Sequence, residues 1–502
     1  MPAEARLFMN TRIRVIPTGD CRFFRLRIPG GKHIMKQSNQ RQIGMTEKRK
    51  DKDMTQGPIV KHLIQFSIPL LVGHLFQQLY NTVDTLVVGN FVGKEALAAV
   101  GSTTSIINML IGIFLGFSMG ANVVVSQYYG ARDEKSVHDT VHTTIVMSLA
   151  FSVLLTVLGV VLAPVMLRMM DTPADVFENA ATYLRIYFTG VSGLVLYNMG
   201  SGILRAVGDS KRPLWFLIFS AVVNTILDLL FVIVFGMGVA GVAWATIISQ
   251  FLSAVLILVV LSRTSGPYRL IWSHLKVNRE ILNSILKIGL PSSIQQGVTA
   301  FSNVFVQSYI NRFGSSYMAG YSAYGKVDVF ALLPMQSLSM ASTTFVGQNV
   351  GADNIPRAKK GIRTSLLLSI GCTAVLIIPM MIFAPQIISL FNSDPDVIHY
   401  GALYMRLTSP FYLTVCVNQI FAGALRGAGD TRAPMFIMLG SFVVFRQIYL
   451  FVFSRIFPGS FYPIVFAYPA GWMLCSTLLY LYFKRSHWEH RRFILKNENE
   501  NA

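Results

Sequence analysis

Apolar stretches of about 20 residues recur along this chain, and their recurrence limits the possible folds more than any other feature. They run over 62–87, 98–123, 140–167, 183–204, 213–236, 239–262, 283–310, 319–346, 363–388, 400–424, 434–457 and 462–484. Each is long enough to span the hydrocarbon layer of a bilayer. A backbone crossing that layer must satisfy every N–H and C=O internally, so these segments are expected to be helices. Composition agrees: 53% of the 502 residues are hydrophobic and only 13% charged. A soluble domain carries about 25% charged residues, so a water-facing surface of this size would be short of charge. The expected fold is an all-α membrane protein with twelve transmembrane helices.

The formal net charge of +19 suggests nucleic acid at first sight, but its distribution argues against that. Residues 1–61 hold 14 Lys/Arg against 5 Asp/Glu, before the first apolar run. The remaining excess lies in alternate links. Even-numbered links carry fifteen Lys/Arg, among them Arg132, Lys135, Lys211, Arg212, Arg263, Arg357 and Lys360. Odd-numbered links and their helix edges carry six: Lys94, Arg168, Arg185, Arg312, Arg406 and Arg455. By the positive-inside rule the even links and both termini are cytoplasmic. Nucleic acid is not expected as a partner; the bilayer is.

A repeat divides the chain. Leu204-Arg-Ala-Val-Gly-Asp-Ser-Lys-Arg-Pro213 matches Leu425-Arg-Gly-Ala-Gly-Asp-Thr-Arg-Ala-Pro434, 221 residues later. The same offset pairs Gln127-Tyr-Tyr-Gly-Ala with Gln348-Asn-Val-Gly-Ala, Tyr183 with Tyr404, and Gly93 with Gly314. Each half holds an even number of segments, so the halves share an orientation. Parallel repeats of this kind form two lobes related by a pseudo-two-fold axis along the membrane normal, with a cavity between them. The expected organisation is a basic, disordered extension over 1–57, an N-lobe over 58–262 and a linker over 263–282. A C-lobe over 283–484 and a basic tail over 485–502 follow. An alternative for the extension is an upstream start, with translation beginning at Met35, Met45 or Met54.

Several motifs invite enzymatic readings that their context rejects. Gly116-Phe-Ser-Met-Gly120 fits a nucleophile elbow, but it lies inside an apolar helix with no preceding strand. Gly112, Gly116 and Gly120 instead form a groove for close helix packing. Gly236-Met-Gly-Val-Ala-Gly241 fits a dinucleotide fingerprint, yet it joins two membrane segments and reads as a tight turn. Cys21, Cys372, Cys416 and Cys475 show no paired spacing, so no disulfide or zinc site is expected. His138 and His142 share a helix face without a third ligand and are expected to be solvated at the interface. His74 reads as a packing residue, with a proton relay as the sharper alternative.

Two acids placed within apolar segments carry the most information. Asp84 lies in segment 1 and Asp228 in segment 5. A carboxylate at mid-membrane costs roughly 2.5–3.5 kcal/mol even on an insertion scale, so each should face protein or a wet cavity. Tyr80 precedes Asp84 by four residues and Asn224 precedes Asp228 by four, so each pair shares a helix face. The four groups are expected to enclose a polar chamber. Two neighbouring carboxylates in low dielectric do not both ionise cheaply, so such a chamber retains a proton; alternatively, its oxygens replace the hydration shell of Na⁺. The second half places Phe305, Phe445 and Tyr449 at the corresponding positions. Its notable charges are Lys326, Asp328 and Arg446, read either as a mutual ion pair or as substrate-responsive groups.

Taken together, Val83-Asp-Thr85, Asn224-Thr-Ile-Leu-Asp228, Gly236–Thr246 and the two Leu-Arg…Asp…Pro motifs resemble the multidrug and toxic compound extrusion (MATE) family over nearly everything after residue 58. The resemblance implies a cation-coupled antiporter that expels amphipathic, often cationic compounds by alternating access. It would be a monomer in a bacterial inner membrane, with no cofactor beyond H⁺ or Na⁺. It also implies that Asp84, Asn224 and Asp228 form an N-lobe cation network with Tyr80 and Thr246, and with Asn198 from segment 4. One branch of the family adds acids in segments 7 and 10. Here those stretches read Gln295-Gln-Gly-Val-Thr299 and Thr414-Val-Cys-Val-Asn418, so the coupling site is expected in the N-lobe alone. The competing reading is a lipid-linked oligosaccharide or other lipid flippase on the same scaffold, which would call for a strongly basic cavity.

Overall fold

The computed structural model describes residues 53–490. Among them all regular structure is helical. In the first half, α1 is Ile59–Val87, α2 Lys94–Ala131, α3 Glu134–Met169, α4 Ala174–Thr189 and α5 Val191–Ala206. Lys211–Leu229 (α6) and Gly238–Arg263 (α7) complete it. The second half begins with α8 (Arg279–Ile310), α9 (Ser315–Gly351), α10 (Ile355–Ile382) and α11 (Ala384–Ser389). It continues with α12 (Pro395–Thr408), α13 (Tyr412–Gly427), α14 (Arg432–Leu439), α15 (Arg446–Ile456) and α16 (Tyr462–Arg485).

Each of the twelve apolar stretches is helical, though not always as one rod. Nine helices among the described residues are long and apolar enough to cross a membrane. The fourth stretch breaks at Gly190, where a side chain would collide with Ile247 of α7. Its counterpart, the tenth, breaks at Ser409–Phe411, where Pro410 has no N–H to continue the ladder. The seventh is unbroken but rich in Ser and Gln. Three widened π-type turns interrupt other rods, at Val88–Val92, Leu230–Val234 and Gly440–Phe445.

Two large apolar cores form, one from the first half and one from the second. The first halves of α1 and α8 each pack against helices of the other half. Leu63, Phe66 and Leu70 of α1 pack with Ala341 and Phe345 of α9, while Ile281, Ile285 and Ile288 of α8 join the first core. The glycine groove on α2 receives α8: Cβ atoms at Gly116 and Gly120 would strike the backbone of Ser293 and Ile285. Small residues that let backbones touch are a main source of helix association in lipid.

The sequence repeat reappears in the hydrogen bonds. Ser118 Oγ donates to the Asn198 carbonyl and Ser339 Oγ to the Gln419 carbonyl, both at 2.6 Å. Arg205 Nη2 donates to Ser118 Oγ (3.3 Å) and Arg426 Nη2 to Ser339 Oγ (3.5 Å). Asp133 caps α3 through Ser136 N–H, and Asn354 caps α10 through Arg357 N–H. Gly208 and Gly429, inside the repeated motif, have φ of 89° and 95°; this left-handed turn suits glycine and ends α5 and α13 in the same way.

The lobes meet at one end through a matched pair of bonds. Gln127 Nε2 donates to the Gly427 carbonyl (3.0 Å), and Gln348 Nε2 donates to the Ala206 carbonyl (2.7 Å). Gly130 lies against the Gln348 backbone and Gly351 against that of Gln127, with no space for a side chain at either. Both lobes therefore supply one amide donor, one carbonyl and one glycine contact to this clasp.

Some expectations change. Met54 is buried: its N–H donates to Gln348 Oε1 (2.9 Å), and its carbonyl accepts from Arg357 Nε (3.1 Å). Residues 53–57 thus dock at the clasped end instead of continuing a disordered extension; residues 1–52, and 491–502 of the tail, lie outside the described residues. His142 is also buried, not solvated. One ring nitrogen meets the His138 carbonyl at 2.7 Å and the other lies 3.1 Å from the Ile271 backbone, tying the inter-lobe linker to α3.

Candidate cation site and central cleft

The two sequence-marked acids come together in the first lobe. Asp84 on α1 and Asp228 on α6 interact carboxyl to carboxyl. Asp228 is fully buried and Asn224, one turn before it, is 2% exposed. Among the described residues no N–H or O–H donor reaches either Asp228 oxygen, Asp84 Oδ1 or Asn224 Oδ1, and the Asn224 amide N–H groups meet no acceptor. Each acid is followed within four residues by the start of a π-type turn, Val88–Val92 or Leu230–Val234. Such turns rotate the downstream helix face and recur at functional sites.

Tyrosines surround the pair. Tyr80 lies one turn before Asp84 and within its electrostatic reach. Tyr183 of α4 lies within electrostatic reach of both carboxyls. It stacks on Tyr187 with ring centroids 6.4 Å apart, and Tyr187 lies close to Gln250 of α7. Neither Tyr183 nor Tyr187 was marked from sequence as a site residue. The available signal was the repeat itself, which singles out Tyr183 and Tyr404.

The remaining expected members are placed differently. Thr246 is buried, and its hydroxyl donates to the Val242 carbonyl of its own helix at 2.9 Å. Asn198 does not join the contacts of the pair: its amide donates to the Leu194 carbonyl at 2.9 Å. It lines the central cleft together with Tyr80 and Asn224. The same stretch, on the other side of Gly190, places the Tyr183 phenol within electrostatic reach of the acids.

The chamber adjoins a cleft of about 650 Å³ between the lobes. Tyr80 and Asn224, each one turn from an acid, line this cleft, as do Thr246 and Gln250. Amides and hydroxyls dominate the polar part of the cleft wall, and Met119, Met340 and Met438 contribute deformable apolar surface. Among the described residues no Asp or Glu lines it, and its permanent charges are Arg205 and Arg426. Both guanidinium groups bond the matched Ser118 and Ser339, which accounts for them as parts of the repeat and not as a polyphosphate clamp.

In the second lobe the expected ion pair does not form. Asp328 Oδ1 accepts from Tyr324 (3.1 Å) and from Tyr412. Arg446 Nη2 donates to Ser302 Oγ and Asn303 Oδ1, both at 2.9 Å, and its guanidinium sits 4.7 Å from the Tyr468 ring centroid. Lys326 projects the other way, 5.5 Å from the Phe391 ring.

Repeated helical lobes enclosing a cleft, with most long helices apolar enough to span a bilayer, define a multi-pass membrane transporter. The MatE family model matches this chain twice, over residues 69–230 and 291–452. The protein belongs to the MATE family, whose members are transporters and not enzymes. It is 30% identical to the probable multidrug resistance protein YpnP of Bacillus subtilis, covering 87% of this chain and 97% of that one. It is 27% identical to the probable multidrug resistance protein NorM of Thermotoga maritima, covering 87% and 95%. Its fold matches a solved outward-facing MATE transporter of the MOP superfamily with a TM-score of 0.81, at 23% identity over 86% of this chain and 97% of that one.

Proposed function

We propose that the protein is an H⁺- or Na⁺-coupled antiporter that exports amphipathic organic compounds, cationic ones among them, by alternating access. One observation supports the coupling site above all: the fully buried Asp228 carboxyl faces that of half-buried Asp84, and their polar contact is with each other. Facing acceptors repel unless a proton or a cation lies between them. The chamber is therefore suited to bind one positive charge and to release it when water or substrate changes its surroundings.

Coupling to substrate runs through shared walls. Tyr80 and Asn224 sit one turn from Asp84 and Asp228, and both line the cleft. Loading the acids would relax α1 and α6 near their π-type turns and alter the surface offered to substrate. A ligand drives such a cycle only through unequal affinity for the two states. The clasped end carries the even, Lys/Arg-rich links, so the positive-inside rule assigns it to the cytoplasm. The cleft then opens outward from a bacterial inner membrane, both termini are cytoplasmic, and one chain suffices.

Proteoliposomes preloaded with ethidium test this reading. Ethidium should move against an imposed H⁺ gradient, or against a Na⁺ gradient, and the gradient that drives it names the ion. Asp84→Asn should abolish gradient-driven movement while leaving thermal unfolding nearly unchanged. Wild-type efflux by Asp84→Asn, or headgroup translocation of a labelled lipid with no ethidium movement, would reject the antiport assignment.

A further inference from the structure

The second lobe contains its own acid, with no ion-pair partner and no place in the network described so far. Asp328 sits within α9, where Val329 and Leu332 line the cleft and Tyr321 and Tyr324 face the lobe interior. Its Oδ1 accepts two phenolic protons, from Tyr324 and Tyr412. Those phenols are linked to each other at 3.0 Å, and Thr408 Oγ1 donates to the Tyr324 hydroxyl at 3.1 Å.

Every element packed here presents a polar group. Helix α9 gives Tyr321 and Tyr324, with Lys326 turned away toward Phe391. From α12 come Tyr404 and Thr408, and from α13 Tyr412. Tyr468 of α16 bonds Tyr321 at 3.1 Å, and Arg446 of α15 covers the Tyr468 ring while bonding Ser302 and Asn303 of α8. Among the described residues no cation lies within ion-pair distance of Asp328.

Two further observations set this cluster beside the first-lobe chamber. Tyr404 is the repeat counterpart of Tyr183, and its ring lies 4.6 Å from that of Tyr324. The third π-type turn, Gly440–Phe445, ends directly before Arg446, whose guanidinium covers the Tyr468 ring. Each lobe thus holds an acid near a tyrosine of the same repeat position, although Asp328 lies on α9 and the first-lobe acids on α1 and α6.

We propose that Asp328, held by Tyr324 and Tyr412, is a second proton-binding site, in the interior of the C-lobe beside the cleft wall. A carboxylate in an apolar lobe without a contacting cation is most readily neutralised by a proton. The step is a simple association: carboxylate plus one proton from the wet cleft gives the carboxylic acid. A phenol displaced from Oδ1 turns to a hydroxyl already within reach, Tyr412 to Tyr324 or Tyr324 to Thr408. A metal ion fits less well, because the phenolic hydrogens and not their lone pairs point at the carboxylate.

This assignment extends the antiport reading to a second lobe but is tested without transport. Infrared difference spectra of the full chain in lipid, recorded between acidic and alkaline pH, report the C=O stretch of each protonated carboxyl. Asp328→Asn should lose one such band. Asp328→Glu should retain a band at shifted frequency, and Asp84→Asn should lose a different one. Identical spectra for wild type and Asp328→Asn would overturn the proposal. If Asp328→Asn fails to fold, Tyr412→Phe should displace the same band, and an unmoved band there is equally decisive against it. Ethidium movement, measured separately, judges the antiport reading whatever the spectra show.

Discussion

Tyr183 is the residue most informative to change, because its phenol lies within electrostatic reach of both members of the acid pair. A hydroxyl dipole close to a charge in a low-dielectric site changes that charge's affinity for a cation, so Tyr183→Phe should shift the half-maximal ion concentration for ethidium efflux by a few-fold. The thermal unfolding midpoint should barely move, since the ring and its stack on Tyr187 remain. An unaltered ion dependence would remove Tyr183 from the site. The acids were legible from sequence because a carboxylate inside an apolar run is costly and therefore conspicuous. The tyrosines were not, since a Tyr in a membrane helix is unremarkable until its neighbours are known. Asn198 could be placed only on the cleft wall, where its amide donates to its own helix, and the break at Gly190 was not visible in the spacing that suggested it.

At the scale of helices, periodicity and length located every segment, and the offset of 221 anticipated the matched bonds of the two halves. Breaks and π-type turns were not legible, because they answer to contacts between helices. The collision that Gly190 avoids is with Ile247 of α7, a neighbour that no local pattern names. His142 is a similar case; its burial depends on a linker 129 residues away. The contact of α2 with α8 carries a direct prediction. Gly120→Val would drive a branched side chain into the Ile285 carbonyl and Gly289, and overpacking of this kind costs about 1–3 kcal/mol. Unfolding in detergent should occur at a clearly lower temperature, whereas Gly101→Ala on the same helix, with open space at its Cβ, should leave it unchanged.

For the whole molecule, the clasp sets the balance between the arrangement seen here and one in which the lobes part at that end. Each of its two amide bonds contributes about 1 kcal/mol, so Gln127→Ala with Gln348→Ala should alter the population ratio by roughly thirtyfold if their effects add. Spin labels at Lys94 and Ser315, exposed repeat counterparts at the opposite ends of α2 and α9, would report this as a shift of the distance distribution toward shorter values. An unchanged distribution would show that the glycine contacts hold the end closed unaided. Because the latch exists in duplicate, with each half contributing a hook and an eye, a substitution in one half leaves the other fastening whole. The dwell time of the shut state is thereby adjustable in two comparable increments, neither of which touches the acids or the surface that meets cargo.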